Sequence, residues 1–521
     1  MSREPNAQLI AVMSEAKISN KGLAKRMTDE ADRRGMELGT THVSVQRWRN
    51  GSSIRPQTAA IMADVFSAKL GRRITVGDLG FFGDTKPTTP EPIGYPGTVP
   101  DVLSMLDGLA QERADALVSD QLIIAEADLS SAVLTWMIAR PDGIQAERPA
   151  LQRVGMRDVR AIRDAAGTFM ALDFKYGGGH GHKALRHYFR HEVLPLLSAS
   201  YSEKVGTALF GAAAEVSQLL AWTAYDAGNH RLAHRYLTST LRLSQVIDDR
   251  MFGARILGNL SHQANYLGNH AQAIQLARAA VEGAKNRATP RAMANYSAME
   301  ARALSNAGDR IAAARAMKEA ERHFERAHTA DDPAWLSYFN EAELMGELCH
   351  CFRDLKMRRE AVEQAQRAVD STDPKYARTL GFCRMVLAQS QLLNSELEAA
   401  VTTASLAVDG GDSLQSTRFQ RYVTDFQSEV SVHATNPVVA AFSKKVREAL
   451  TRCSAPATNL QVSGWAEGPR RGPAHAVTFT QVLRSCPVYN PAWRGAGCCG
   501  FEMPDRGGLR VARWDDGRPR V

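Results

Sequence analysis

From about residue 203 onward, the chain repeats one pattern of helix, turn and helix. Each copy joins an apolar helical stretch, a Gly-polar turn and a second helical stretch, and the first three turns hold Gly228, Gly268 and Gly308. The aligned alanines of five copies fall at positions 233, 273, 313, 361 and 400. One such hairpin cannot bury its apolar face alone, so successive copies stack on each other. The pattern predicts a tetratricopeptide-like α-solenoid over residues 203–450, with helices longer than is usual for that repeat.

The fourth step of the repeat is longer than the others because residues 331–339 insert an aromatic segment. Its Trp335 and Tyr338 either pack one repeat on the next or line the concave face of the solenoid. Asparagines on the inner helices are the second set of candidates for that face. We therefore predict an effector or partner groove, suited to an extended peptide or a protein, at Asn259, Asn265, Asn295, Trp335 and Tyr338.

A different signal precedes the repeats, in a head that covers residues 6–83. Residues 41–49 have the pattern of a short helix ended by Gly51, with Val45 and Trp48 spaced to dock on a core. The other face is dense in hydrogen-bond donors, which suit the major groove of double-stranded DNA, where Arg pairs with guanine and Gln with adenine. Helices predicted over residues 6–15, 19–34 and 56–70 surround it. This order is typical of a helix-turn-helix domain.

The charge distribution agrees with a nucleic-acid partner for the head. Residues 1–83 hold 13 Lys and Arg against 8 Asp and Glu, whereas residues 84–452 are nearly balanced. A basic surface attracts phosphate without reading sequence.

The stretch from Ser44 to Gly51, followed by Pro56 and an apolar helix, resembles the Xre-type helix-turn-helix family. The chain departs from that family in a longer segment between the two motif helices, over residues 27–40. The resemblance implies base-reading roles for Thr41, His42, Ser44, Gln46 and Arg47. It implies phosphate contacts for Arg49, Asn50, Arg55 and Lys21.

The whole order of head, linker and repeats resembles a group of actinobacterial regulators, the NsdA-type negative regulators of streptomycete differentiation. The segments that carry this likeness are residues 177–189, 219–226 and 332–336. The resemblance implies a cytoplasmic repressor of sporulation and of antibiotic biosynthesis, and it supplies neither an operator nor an effector. We expect a homodimer, because two linked heads gain effective concentration and read paired half-sites.

The remaining segments are a Pro-rich linker at 84–100, a helical connector at 101–202 and a tail at 453–521. In the connector, helices are predicted over 101–118, 154–175 and 183–199, and residues 123–140 are ambiguous. The tail is rich in Gly and Pro and has no helical period, so we expect it to be disordered. It is either native or a foreign or frame-shifted end.

Several function classes lack support in the sequence. No GxSxG, HExxH or dinucleotide-binding motif occurs, so we expect no enzyme and no cofactor. His187 and His191 have a metal-ligand spacing, but the arginines beside them oppose a cation, and we predict no metal site. The chain has no apolar run of about 18 residues and its N-terminus has no apolar signal region, so we expect no membrane span. The seven cysteines are predicted to be reduced thiols.

The rival hypothesis to a DNA-binding regulator is an interaction scaffold whose head no longer reads DNA.

Overall fold

The computed structural model describes residues 5–33, 38–52, 54, 56–70, 74, 76, 78–81, 95–111, 126–144, 153–411 and 414–454. Within this part the fold is all-helical, and its β-type pairing is one isolated bridge between Arg153 and Ser200. The predicted all-α class is therefore confirmed for the described residues. Arg55, most of the predicted linker and tail residues 455–521 lie outside them.

The head is a bundle of short helices around its own core. The helices are α1 (Ala7–Glu15), α2 (Asn20–Arg33), α3 (His42–Arg49) and α4 (Pro56–Leu70). Asn6 caps α1 by accepting from the backbone N–H of Leu9, and Ser19 accepts from that of Gly22. Leu9, Leu23, Val45, Met62 and Phe66 are fully buried in this core. The sequence prediction of these helices holds to within a residue or two.

The region predicted as a connector shares its core with the first repeats. Its helices are α5 (Val99–Gln111), α6 (Glu126–Ile138), α7 (Met156–Tyr176), α8 (Gly178–Tyr188) and α9 (Leu194–Leu197), with a π-helical turn at Phe189–Val193. One hydrophobic core runs from Val102 to Ala361 without a break at residue 202. Helix α6 occupies the stretch that the sequence left ambiguous, and α5 begins inside the predicted linker. The predicted boundary at 202–203 thus falls within a continuous core.

Five helical hairpins follow in sequence, and each packs on the next. They pair α10 (Glu203–Asp226) with α11 (His230–Val246), α12 (Arg250–Tyr266) with α13 (His270–Ala284), α14 (Pro290–Asn306) with α15 (Arg310–Glu325), α16 (Glu341–Asp354) with α17 (Arg358–Ser371), and α18 (Ala377–Leu393) with α19 (Leu397–Gly410). Helices α20 (Thr417–Val430) and α21 (Pro437–Ser454) end the described part. The five aligned alanines are all completely buried. A small residue at this position lets the two helices of each hairpin approach closely.

The turn inside each hairpin has the same geometry in all five copies. One residue adopts a left-handed conformation, with φ of 85° at Gly228, 85° at Gly268, 79° at Gly308, 57° at Lys356 and 67° at Ser395. The next residue donates its N–H to a carbonyl five residues back; the bond from Asn229 to Ala224 is 2.8 Å and that from Glu396 to Gln391 is 2.9 Å. This is the bond that closes a Schellman-type helix end. The last two copies hold this geometry with a side chain that disfavours it.

The aromatic insertion packs between repeats. Two short 3-10 turns, Thr329–Asp331 and Ala334–Leu336, bridge α15 and α16. Asp332 forms an ion pair with Arg291 at 2.6 Å and accepts a 2.7 Å hydrogen bond from Thr289. Leu336 and Phe339 are fully buried. The insertion therefore joins the third repeat to the fourth. No helix among the described residues has both the length and the apolar content of a membrane span.

Replacing Ser395 with glycine should stabilise the fold. The left-handed conformation costs a residue with a Cβ roughly 1–2 kcal/mol, and the larger entropy of an unfolded glycine offsets about 0.5–1 kcal/mol of that. We expect Ser395→Gly to raise the free energy of unfolding by about 0.5–1 kcal/mol, measured by denaturant titration. Gly268→Ala should lower it, since nothing but its φ opposes a Cβ there.

Gly108→Ala is the matched control for that experiment. Gly108 lies within α5 and is exposed, and a Cβ added to it would meet open space. Alanine should therefore stabilise the helix there by about 0.5–1 kcal/mol. Equal effects of alanine at positions 108 and 268 would contradict the explanation by backbone conformation.

Candidate nucleic-acid interface and repeat cavity

The outer face of α3 presents hydrogen-bond donors and one apolar residue to solvent. Val45 is completely buried and Trp48 packs partly against the head core. The opposite side of α3, together with its C-cap residue Asn50, is exposed. Its residues are His42, Val43, Gln46, Arg47 and Asn50. None of these side chains is acidic. Val43, 47% exposed, was not predicted as a site residue.

Thr41 and Ser44, two of the predicted base readers, cap the start of α3. The Thr41 hydroxyl accepts from the backbone N–H of Ser44, and the Ser44 hydroxyl accepts from that of Thr41, each at 3.4 Å. This reciprocal pairing is a capping box, which satisfies backbone donors at a helix N-terminus. Both side chains therefore have a local structural partner.

Asn20, the first residue of α2, fixes two of the predicted site residues. Its amide nitrogen donates to Gln46 Oε1 at 2.7 Å, and its carbonyl oxygen accepts from Arg49 Nη1 at 3.1 Å. Gln46 in turn donates to Asn50 Oδ1 at 3.1 Å. The half-buried Arg49 is thus directed towards α2. Asn20 went unpredicted because its role depends on how α2 and α3 cross.

Basic residues of the head converge beside α3. Lys21, His42 and Arg49 line one surface depression between α1, α2 and α3, together with Lys17. Lys21 is exposed and lies in the first turn of α2. The structure therefore places this predicted phosphate contact next to the predicted base readers.

A second candidate site lies where helices from the C-terminal end of the repeats meet α7 and α8 of the connector and α10 of the first repeat. Gln415 donates its N–H to the Tyr176 carbonyl at 2.8 Å and accepts from the Gly179 N–H at 2.9 Å. The Thr417 hydroxyl donates to the Ala227 carbonyl at 2.9 Å. We call this junction, residues 173–179, 226–228, 378 and 415–418, the seam. It brings α7, α8 and α10 against α18 and α20.

The glycine run at the seam allows close approach on two sides. A Cβ on Gly178 would lie 2.4 Å from the Thr223 carbonyl oxygen, and one on Gly179 would lie 3.0 Å from that of Gln415. Gly177 has a φ of 84°. The run therefore lets the backbone of α8 meet the backbone of α10 on one side and that of Gln415 on the other.

Buried charges hold the seam together. Asp173 forms a 2.9 Å ion pair with Arg378, and Asp226 lies 3.5 Å from both Arg378 and Arg418. Asp226 also accepts the backbone N–H of Gly178 at 2.9 Å. Burial raises the pKa of Asp173 to about 6, against the opposing effect of Arg378. The Arg418 guanidinium lies 4.6 Å from the ring centroid of Tyr225.

Seven helices surround a cavity of about 140 Å³ beside the seam. Its walls include the aromatic rings of Phe174, Trp222, Tyr338, Phe382 and Tyr422. Its charged side chains include Arg255, Arg302, Glu343 and Glu347, and its neutral polar ones include Gln218, Asn259, His262, Asn295 and His350. These residues are spread over more than two hundred positions of the chain, so no local motif predicted the charged ones.

Three of the five predicted groove residues line this cavity. They are Asn259, Asn295 and Tyr338. Asn265 lines an adjoining space with Tyr266, and its side-chain carbonyl oxygen accepts a 2.9 Å hydrogen bond from His270 Nδ1. Trp335 lies behind the wall, its ring centroid 4.9 Å from the Arg255 guanidinium. Of the two alternatives for the insertion, Trp335 fits packing and Tyr338 fits lining.

Helix α8 and the π-helical turn that follows it carry several histidines, among them the two with metal-ligand spacing. His182 hydrogen-bonds Thr223 at 2.8 Å, and burial lowers its pKa to about 4. The rings of His187 and His191 lie 4.4 Å apart. Among the described residues no three His, Cys, Asp or Glu side chains form a group that could hold a metal ion. Cys349, Cys351 and Cys383 are buried thiols.

Loss of Arg378 should destabilise the seam strongly. Arg378→Met leaves Asp173 without its ion-pair partner in a buried site, which costs about 3–5 kcal/mol in comparable proteins. We expect a fall of that size in the free energy of unfolding. Arg384→Met on the same helix is the control, since Arg384 donates to an exposed carbonyl, that of Leu406. In a double-mutant cycle, Asp173→Asn should cost about 1–3 kcal/mol less in the Arg378→Met background than in the native chain. Additive effects would contradict a direct pairing.

The comparisons with known proteins concern the head. A family model described as the SP15 N-terminal domain matches residues 9–82. This range nearly coincides with the head as the sequence delimits it. No curated protein and no solved structure matches the chain. The head is therefore similar to the SP15 N-terminal domain, and this match extends to none of the repeats.

Proposed function

We propose that the chain is a sequence-specific DNA-binding transcriptional regulator. In this proposal α2 and α3 form a helix-turn-helix and α3 enters the major groove. The observation that carries it is the outer face of α3, which exposes donors and no carboxylate. Arg47 suits guanine, Gln46 and Asn50 suit adenine, and Val43 suits the methyl group of thymine.

The structure supports a division of labour around that face. Arg47 and His42 are free of the capping and Asn20 contacts and are the foremost base readers. Asn20 holds Gln46 in place, as a positioning residue. Lys21, at the start of α2, contacts phosphate. Arg49, because Asn20 holds its guanidinium, orients α3 on α2 and contributes positive charge at the edge of the interface.

The repeats supply dimerisation and effector binding in this proposal. Two heads in one dimer read two half-sites, which gives affinity that a single small head lacks. An occupant of the repeat cavity that prefers one arrangement of the hairpins shifts the protein between DNA-competent and incompetent states. Together with the resemblance to NsdA-type regulators, this makes a cytoplasmic repressor of differentiation and antibiotic biosynthesis, with tetratricopeptide-like repeats.

Selection of bound DNA from a random library, with full-length protein at physiological salt, tests the proposal. We expect enrichment of an inverted repeat. Gln46→Ala/Arg47→Ala should lose it, and Arg47→Ala alone should cost about 1–3 kcal/mol and relax preference at one base pair. The matched control is Gln366→Ala/Arg359→Ala on the exposed side of α17, where Gln366 donates to Asp370 as Gln46 does to Asn50.

Two results would overturn the proposal. Retention of sequence preference by Gln46→Ala/Arg47→Ala would show that α3 does not read the bases. Absence of any preference in the native protein, both alone and with an occupant of the repeat cavity, would favour the interaction scaffold.

A further inference from the structure

The charges that line the repeat cavity pair with each other, with two exceptions. Arg302 forms a 2.7 Å ion pair with Glu347, and the seam arginines pair with the seam aspartates. Arg255 and Glu343 remain. Within the part of the chain that the structure describes, neither has an oppositely charged group at ion-pair distance. Among the described residues, one guanidinium and one carboxyl group thus line the same cavity without an ion-pair partner.

Arg255 is held in a fixed orientation by neutral groups. Its Nη1 donates to the Trp335 carbonyl at 2.8 Å, and its guanidinium lies 4.9 Å from the Trp335 ring and 4.7 Å from the Tyr338 ring. Its Nε is buried without a hydrogen-bond partner among the described residues. A guanidinium fixed in this way is suited to bind a carboxylate.

Glu343 is the complementary group. It lies in the first turn of α16, where Asn340 caps its backbone N–H at 3.1 Å. Burial raises its pKa to about 7, and the neighbouring Glu347 adds to that rise, while Arg378 and Arg302 oppose it. A partly buried carboxylate without a partner is unfavourable, and a bound ammonium group relieves that cost.

The rest of the cavity limits the occupant's body. Asn259 Nδ2 and His350 Nδ1 are buried without hydrogen-bond partners among the described residues, and His350 is only 8% exposed. Trp222 and Phe382 offer aromatic walls. A cavity of roughly 150 Å³ accepts a benzene ring in an engineered protein, so a cavity of about 140 Å³ limits the occupant to one small molecule with a single ring or a single branched side chain at most.

We propose that this cavity binds a free α-amino acid with an apolar or aromatic side chain. Its carboxylate binds Arg255, its ammonium group binds Glu343, and its side chain packs on Trp222 and Phe382. Both charged groups of the ligand are required, which distinguishes it from the interior of a peptide chain. This assignment rests on the effector-binding half of the proposed function and names the chemistry of that effector.

Calorimetric titration of the full-length protein, without DNA, tests the assignment. The probes are L-phenylalanine, L-leucine and L-methionine, each with its N-acetyl and its C-terminal amide derivative. We expect at least one parent amino acid to bind and both of its derivatives to bind about tenfold more weakly or worse, since each lacks one charge-assisted contact.

Variants at the two unpaired charges make the test specific. Glu343→Gln should weaken the parent amino acid and abolish the difference between it and its N-acetyl derivative. Arg255→Gln should weaken binding of the parent amino acid and abolish the difference in affinity between it and its C-terminal amide derivative. Glu360→Gln and Arg359→Gln, exposed on α17, should change nothing. Thermal unfolding of each variant without ligand identifies any loss that is due to misfolding.

The pH dependence of stability gives a second readout for Glu343. A carboxyl group whose pKa is raised on folding favours the native state at low pH. This contribution to stability is lost as the pH rises from the pKa of the group in the unfolded chain to its pKa of about 7 in the folded protein. Without ligand, Glu343→Gln should therefore gain stability relative to the native chain as the pH rises from about 4.5 to 7. Equal pH profiles of the two proteins would contradict a half-buried Glu343 without an ion-pair partner.

Failure of all three parent amino acids to bind would overturn the assignment, as would equal binding of the charged and blocked forms. These outcomes are separate from failure of the regulator proposal. If the protein binds an amino acid but selects no DNA, with or without that amino acid, the regulator proposal is refuted and the amino-acid site stands. If the protein selects an operator but binds no amino acid, the amino-acid site is refuted and the regulator proposal stands.

Discussion

The arrangement of the repeats depends on one buried carboxylate, Asp226. It accepts the first backbone N–H of α8 and lies beside two arginines that come from the far end of the stack. A helix N-terminus and two guanidiniums are each attracted to a negative charge. Because these partners come from α8, α18 and α20, Asp226 draws the two ends of the stack of hairpins together. The cavity exists because those ends meet.

The regular geometry of the hairpins allows the two ends of the stack to come together. Each copy has one turn residue in the left-handed conformation and a buried alanine five positions later. Identical turns give each hairpin the same internal geometry, so the inner helices line up around a common centre. The insertion at 329–339 then joins the third and fourth copies through the Arg291–Asp332 pair. Local sequence rules therefore account for the scaffold, and long-range charges account for its closure.

The features that the sequence predicted are local, and those that it did not predict are contacts between distant parts of the chain. Caps, glycine turns, apolar spacing and alanine periodicity are local, and they predicted the helices of the head and the hairpins. They also predicted an outward donor face on α3. The pairing of Asp173 with Arg378 joins residues 205 positions apart, and the position of Asn20 between Gln46 and Arg49 depends on a helix crossing. No pattern in one sequence specifies contacts of that kind. The continuous core across residue 202 was missed for the same reason.

The turns inside the last two hairpins have no glycine at the left-handed position, which lowers the local stability of those two hairpins. Lys356 and Ser395 occupy the turns inside the fourth and fifth hairpins, so these two turns carry backbone strain that the glycine turns inside the first three hairpins avoid. In a stack whose stability is a sum over neighbours, fraying begins where the units are weakest. Arg378 and Arg418 belong to that softer end. Opening of the fifth hairpin, which carries Arg378, therefore also breaks the contacts of Arg378 with Asp173 and Asp226.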